Sequence, residues 1–186
     1  MRARDNPFRS ERVEGLAFRN PGFSWSGLEA SLAAAGGRGA IVGPEGHGKT
    51  TLLLEWHARS QAAGREAVHL RVGRGQRRLD AAQKRRIAGA VAVFADSAEQ
   101  LGWTGWREFV ALTRRARSVV VTTHRPGRFA TVYLCRTSPA LLQELVEELH
   151  PSGPQCRLLW HRHRGNLRNA LRELYDKMSP EIPATK

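Results

Sequence analysis

The chain has 186 residues, of which 41% are hydrophobic and 25% charged, and this composition is typical of a globular protein with one substantial core. Its formal net charge is +13, and it contains two cysteines, Cys135 and Cys156. No apolar run is long enough to cross a bilayer, the N-terminus lacks the apolar core of a secretory signal, and two separated cysteines do not make a disulfide framework. We therefore expect a cytoplasmic protein with no membrane partner.

The first part of the chain predicts an arm and one helix. Asn20-Pro21-Gly22 is a turn signal, and Ser24 or Ser26 can cap a helix that runs through Ala35. Residues 1–35 are therefore predicted to form an N-terminal arm and helix.

Residues 36–137 alternate between short apolar runs and helical patterns. Strands are predicted at 39–42, 67–72, 89–95, 118–122 and 131–135, and helices from the end of a glycine loop to about residue 63, over 79–87 and over 103–115. Such alternation implies right-handed crossovers, and unbroken apolar runs are typical of parallel strands covered on both faces. We predict an α/β fold with a doubly wound, mainly parallel sheet of about five strands.

From Ser138 onward the pattern is helical. Ser138-Pro139 is a strong helix start, and a last helix is predicted from Asn166, as its cap, to about residue 177. The basic run 161–164 between these helices is interpreted as a loop. We predict a small helical lid over 138–178 and a flexible tail over 179–186.

The most specific feature is an octapeptide at 43–50. It reads Gly43-Pro44-Glu45-Gly46-His47-Gly48-Lys49-Thr50 and fits G-x-x-x-x-G-K-[ST] at every fixed position. A strand precedes it and a helix follows, so backbone N–H groups and the positive end of the helix would face bound phosphates. Lys49 is expected to reach the β- and γ-phosphates, and the Thr50 hydroxyl to coordinate Mg²⁺. We predict that these eight residues and Thr51 bind a nucleoside triphosphate.

Two carboxylates follow the third predicted strand. Asp96 ends that strand, where α/β sheets place ligand-binding groups, and it is predicted to hold Mg²⁺ together with Thr50; the alternative is a helix cap. Glu99 lies three residues further on. It either orients or deprotonates an attacking water, or it is a solvated glutamate at the start of a helix.

Polar residues also end the next strand and begin the last helix. Thr123 or His124 is predicted to touch the γ-phosphate or the attacking water, and the alternative is a hydrogen-bond cluster at the strand end. Arg168 lies on the first turn of the last helix. It is predicted to project its guanidinium toward bound phosphates if the helical segment folds over the nucleotide.

Taken together, these residues resemble the additional-strand class of P-loop NTPases, and within it a compact, atypical AAA+ ATPase. The loop at 43–50 resembles Walker A, and residues 91–96 resemble Walker B, with Ser97 in place of the usual second acidic residue and Glu99 as its nearest substitute. Residues 122–124 stand at the position of sensor 1, and 165–168 resemble sensor 2, with Arg168 as its arginine. The resemblance implies an ATP hydrolase or nucleotide-dependent switch that uses ATP and Mg²⁺ to control a protein partner or further copies of the chain.

Two other functions remain open. A small-molecule or nucleotide kinase would use the same loop, and a module could hold nucleotide without turnover and contact nucleic acid. The positive charge either attracts nucleic acid or another polyanion, or it reflects arginine on solvated faces. The arginine clusters are spread along the chain, and no aromatic residues are interleaved with them as in a base-stacking platform.

Overall fold

A computed structural model of the protein describes residues 5–179, so most of the predicted tail at 179–186 lies outside the described residues. Within this range, five strands form one all-parallel sheet and eight α-helices are present. The strands are β1 (Arg38–Val42), β2 (Ala67–Arg71), β3 (Ala92–Asp96), β4 (Ser118–Thr123) and β5 (Ala130–Leu134). The helices are α1 (Ser10–Glu14), α2 (Trp25–Ala34), α3 (Lys49–Ala62), α4 (Ala81–Ile87), α5 (Trp103–Leu112), α6 (Pro139–Leu149), α7 (Arg157–Arg162) and α8 (Leu167–Met178). The predicted α/β class and parallel sheet are confirmed.

The described chain divides into two compact units. The sheet unit contains residues 21–44 and 48–135, with β1–β5 and α2–α5. The helical unit contains residues 5–20, 45–47 and 136–179, with α1 and α6–α8. None of the helices between residues 5 and 179 is both long and apolar enough to cross a membrane.

In the sheet unit, the strand order is β2-β3-β4-β1-β5. The register places Ala40 of β1 opposite Val121 of β4, and Val119 of β4 opposite Val93 of β3. Because all the strands are parallel, their carboxyl ends share one edge of the sheet. The loop after β1, Asp96 at the end of β3 and Thr123 at the end of β4 therefore meet at that edge.

Neighbouring residues along a strand bury opposite faces of the sheet. Val93 and Val119 belong to a buried cluster that includes Phe109 of α5. Phe94 instead packs against α3, with its ring centroid 6.0 Å from that of Trp56. Because side chains alternate along a strand, unbroken apolar runs such as 92–95 are explained by helices on both faces.

The helical unit has its own core, formed by apolar stripes of α6 and α8 together with residues of the N-terminal arm. Its members include Phe8, Leu142, Val146, Leu171 and Leu174. The caps follow the predictions, since the side chains of Ser138 and Asn166 accept backbone N–H groups at the starts of α6 and α8.

Several predicted boundaries are wrong by two or three residues. α4 begins at Ala81 instead of residue 79, because Asp80 forms a capping box with Gln83. β3 begins at Ala92 instead of 89, and Gly89 lies before it in a left-handed conformation. α5 ends at Leu112 instead of 115. The sequence analysis also missed α1 and α7, which have five and six residues and carry weak periodicity.

The interpretation of 161–164 as a loop is wrong for its first two residues, which lie in a helix. The run starts inside α7, which ends at Arg162, and only the following residues form a turn. Arg162 and His163 both pair with Glu173 of α8. Hydrogen bonds from Lys177 and His163 lower the pKa of Glu173 to about 2. The contacts of Arg162 and His163 with Glu173 therefore link the end of α7 to α8.

Candidate functional site

The glycine loop begins between the ends of two strands. The Gly43 N–H donates to the Thr123 carbonyl at 3.2 Å, and the Cys135 N–H donates to the Val42 carbonyl at 2.7 Å. A Cβ on Gly43 would stand 2.8 Å from the Cys135 carbonyl oxygen, so only glycine fits this approach. Cys135 is fully buried, and burial raises the pKa of its thiol to about 12. The base of the loop is therefore closely packed and holds a protonated thiol at neutral pH.

The end of the loop starts α3. Gly48 has a φ of +82°, caps the helix with a left-handed backbone, and accepts the Leu52 N–H. Lys49 is the first helical residue, and only 8% of it is exposed. Its Nζ donates to the Pro44 carbonyl at 2.8 Å, so the ammonium group folds back over the loop. Thr51 follows on the first turn and is half-buried.

The middle of the loop, residues 45–47, belongs to the helical unit. The Leu167 N–H donates to the Gly46 carbonyl at 3.1 Å. Gly46 has a φ of +74°, and a Cβ there would stand 1.9 Å from Asn166 Oδ1. Glu45 is exposed and His47 is half-buried. The start of α8 is therefore built against the Gly46 backbone, a contact that the sequence analysis did not predict.

At the end of β3, Asp96 is 3% exposed and accepts hydrogen bonds from two hydroxyl groups. Thr50 Oγ1 lies 3.2 Å from both of its carboxylate oxygens, and Thr122 Oγ1 donates to Oδ1 at 2.6 Å. The cap position of the short 3₁₀ helix that follows, Ala98–Gln100, is Ser97. The structure thus brings Thr50 and Asp96 together and gives Asp96 no capping role.

The sequence analysis placed Thr122 in the segment at the position of sensor 1 but missed its contact with Asp96. The hydroxyl of Thr122 donates to Asp96 and also accepts the Ser97 N–H at 2.8 Å. Ser97 has a φ of +60°, an uncommon conformation for a residue other than glycine that costs of order 1 kcal/mol. The Thr122 hydroxyl therefore stabilises both the carboxylate and the turn after it. Its place beside Asp96 follows from the pairing of β3 with β4, which no local pattern reveals.

Thr123 ends β4, and its predicted contact with the γ-phosphate or the attacking water stays a prediction. It is buried, and its hydroxyl donates to the Arg125 carbonyl at 2.9 Å. Its carbonyl accepts the Gly43 N–H. These contacts correspond to the alternative interpretation, a hydrogen-bond cluster at the strand end.

Glu99 and His124 form a pair on the sheet unit. Glu99 Oε1 lies 3.2 Å from His124 Nδ1, and the two side chains are 22% and 46% exposed. The second oxygen, Oε2, is buried and has no hydrogen-bond partner among residues 5–179. A buried carboxylate oxygen without a partner is costly, so a water molecule or ligand that reached this atom would be bound favourably.

Arg168 lies on the first turn of α8, in the helical unit, and is exposed. Its predicted contact with phosphates stays a prediction.

The site residues of the sheet unit match the chemistry of a magnesium–polyphosphate ligand. A hydroxyl and a carboxylate at 3.2 Å are the hard oxygen donors that Mg²⁺ prefers. A buried lysine and left-handed glycines beside a helix N-terminus are suited to phosphate oxygens. The residues present therefore fit both groups.

No family model matches this sequence, and no curated protein matches it at a significant level. The function of the chain is therefore inferred from its own residues.

Proposed function

We propose that this protein binds ATP with Mg²⁺ on the 43–50 loop and hydrolyses it, as a compact AAA+-like ATPase or nucleotide-dependent switch. The observation that carries the proposal is the contact of the Thr50 hydroxyl with both oxygens of the buried Asp96 carboxylate. The two residues are 46 positions apart in sequence, yet they meet beside the only segment that fits the phosphate-loop pattern.

The strand order supports the same class. β4 lies between β1, which leads into the glycine loop, and β3, which ends at Asp96. A strand inserted between these two is the feature for which the additional-strand class is named. Helices on both faces of the sheet agree with a doubly wound arrangement.

Several residues of the loop have roles in the proposal. Gly48 permits the backbone to turn its N–H groups toward phosphate oxygens, and Lys49 would exchange the Pro44 carbonyl for a phosphate. Thr50 and Asp96 would hold Mg²⁺, which when bound neutralises charge on the β- and γ-phosphates. Thr122 keeps the Asp96 carboxylate in place through its hydrogen bond.

Glu99 is proposed as the group that activates water. Oε2 would accept the proton of the attacking water, since it has no hydrogen-bond partner among the described residues. His124 holds the other oxygen and so positions the carboxylate. The catalytic oxygen is thereby oriented by a neighbour, as a general base requires.

Calorimetry with ATP in the presence of Mg²⁺ tests the site. We expect Lys49→Ala to weaken ATP binding by about a hundredfold or more, because a buried ammonium–phosphate contact is charge-assisted. Lys84→Ala is the matched control, since it removes a lysine that pairs with Glu108 on the surface of α4. Equal affinities in the wild type and Lys49→Ala would reject the loop as the site.

Phosphate release then separates the proposed hydrolase from a module that only holds nucleotide. Steady release of phosphate by the wild type, lost in Lys49→Ala, supports hydrolysis. Tight binding of ATP without release would identify a binding module. Transfer of the γ-phosphate to an added acceptor would instead identify a kinase.

A further inference from the structure

A basic cleft lies along α5 in the sheet unit. It has a volume of about 470 Å³ and is lined by Arg38, Trp106, Arg107, Val110, Ala111 and Arg114. Arg107 and Arg114 are exposed, and none of the lining residues is acidic. α5 contains one acidic residue, Glu108, and this carboxylate is paired with Lys84 of α4 at 2.6 Å. The cleft therefore keeps its positive charge.

An exposed aromatic ring lies next to this cleft. Trp103 is 68% exposed although the guanidinium of Arg107 lies 4.7 Å from its ring centroid. Residues 103, 107 and 110 are spaced by three or four within α5, so they follow one side of the helix, and Arg114 lies two residues beyond its end. From residue 103 to 110 the helical rise gives a strip of about 10 Å. Large exposed aromatic rings beside arginines are characteristic of ligand-binding surfaces.

The wall of the cleft is held in place by its neighbours. Trp106 packs between the guanidinium of Arg128, 4.9 Å from its ring centroid, and the ring of Phe129 at 4.8 Å. Arg38 Nη2 donates to the Thr113 and Arg114 carbonyls at 2.8 and 3.2 Å. Arg38 Nη1 is buried and has no hydrogen-bond partner within the described residues. Arg38 is therefore an oriented guanidinium in the wall of the cleft, and Arg107 and Arg114 are the exposed cations that an anion can reach.

We propose that this surface, the Trp103 ring together with the Arg38–Arg107–Arg114 cleft, binds single-stranded nucleic acid. Guanidinium groups bind phosphates, and an exposed indole ring stacks on an unpaired base. A duplex hides its base faces, so the exposed ring favours a single strand. The proposal does not depend on nucleotide binding at the 43–50 loop. The fold brings Arg38 and Arg128, which are distant from α5 in sequence, to Trp106 of that helix.

Fluorescence anisotropy of a labelled oligothymidylate, titrated with the full chain in the absence of ATP, tests the surface. We expect Trp103→Ala to weaken binding about tenfold or more, and Trp103→Phe to keep most of the affinity because it retains a stacking ring. Arg107→Ala combined with Arg114→Ala should reduce the slope of log K against log salt by about 1.4, or 0.7 for each phosphate contact.

The matched control is Arg65→Ala combined with Arg85→Ala, which removes two exposed arginines of the same unit outside the cleft. This pair should change the affinity by less than about threefold, as expected for charges outside the contact. An equal loss in both pairs would overturn the proposal in favour of diffuse attraction by net charge. Unchanged binding in Trp103→Ala, or a duplex bound as tightly as the single strand, would overturn it as well.

Two further outcomes decide between classes of partner. A polyglutamate peptide that displaces the oligonucleotide at equal charge concentration would overturn the proposal and indicate an acidic protein partner. Failure of that peptide to compete supports it. Because Trp103 is exposed, the circular dichroism of Trp103→Ala should equal that of the wild type, and its thermal midpoint should fall no further than that of Arg107→Ala, which removes the same cation–π contact.

Discussion

The carboxyl edge of the sheet and the α5 cleft both present polar groups to a candidate ligand, but they hold these groups in opposite ways. At the edge, Asp96 and Thr122 are 3% and 1% exposed and are joined by a hydrogen bond of 2.6 Å. In the cleft, Arg107 and Arg114 are exposed, and the contact described for Arg107 is a cation–π contact with Trp103. The polar groups of the first region are buried and hydrogen-bonded to one another, and the arginines of the second are open to solvent.

This difference follows from the cost of burial. A buried polar group without a partner costs roughly 2–7 kcal/mol depending on the reference state, so each group at the edge needs a particular neighbour in a particular place. An exposed guanidinium is solvated wherever it lies, and needs no fixed neighbour. Substitutions at the edge should therefore disturb folding and chemistry sharply, whereas those in the cleft should affect binding alone.

The largest expected effect is that of Glu99→Gln on turnover. The amide cannot accept a proton, so we expect the rate of phosphate release to fall by about a hundredfold or more while ATP affinity changes little. Rapid-quench assays of bound nucleotide should show trapped triphosphate. Stability should hardly change, because Glu99 contacts only the exposed His124 among the hydrogen-bond partners described.

Glu66→Gln provides the control for that experiment. Glu66 is exposed, and the hydrogen bond described for it is accepted by its backbone carbonyl and not by its side chain. Wild-type rates in Glu99→Gln would assign water activation to another group. They would also show that the unpaired Oε2 is not part of the chemistry.

The next largest effect should be a loss of stability in Thr122→Val. Valine has nearly the same shape, but it leaves Asp96 Oδ1 with one hydroxyl donor fewer and the Ser97 N–H without its acceptor. At roughly 1–3 kcal/mol for each of these two groups, the free energy of unfolding should fall by about 2–6 kcal/mol in denaturant titrations. Thr122→Ser keeps the hydroxyl and should lose only about 1 kcal/mol. If the two variants were equally stable, the hydroxyl network would contribute nothing to the fold.

The same contrast explains what the sequence could predict. The glycine loop can be predicted because its pattern fixes the residue type at several positions within one strand–loop–helix segment. Asp96 can be predicted because it directly ends an apolar strand. The contact of Thr122 with Asp96 was missed, because Asp96 lies 26 residues away and the contact depends on which strands are neighbours. The parallel sheet was predicted because its strands are unbroken apolar runs, and these are uncommon outside sheets covered on both faces.

The cleft could not be predicted from the sequence for a related reason. Its groups come from the start of β1, from α5 and from the segment before β5, and no spacing in the chain links Arg38 with Trp106 or Arg128. Exposed arginines also carry no local pattern, because solvent tolerates them at many positions. A basic composition suggested a polyanion partner, but only the folded chain shows where the cations and the aromatic rings meet.

The smallest expected effect is that of Arg107→Ala on stability. This change removes a cation–π contact with an exposed ring, which contributes about 0.5–1 kcal/mol, so the free energy of unfolding should fall by no more than that amount. Measured in the same denaturant as Thr122→Val, the loss should be at least twofold smaller. A loss as large as that of Thr122→Val would mean that Arg107 is a structural group, and its presence in the cleft would then need no ligand to explain it. A small loss of stability together with weakened oligonucleotide binding would show that the Arg107 guanidinium binds a partner. Its contribution to the stability of the fold would then be too small to account for its position over the Trp103 ring.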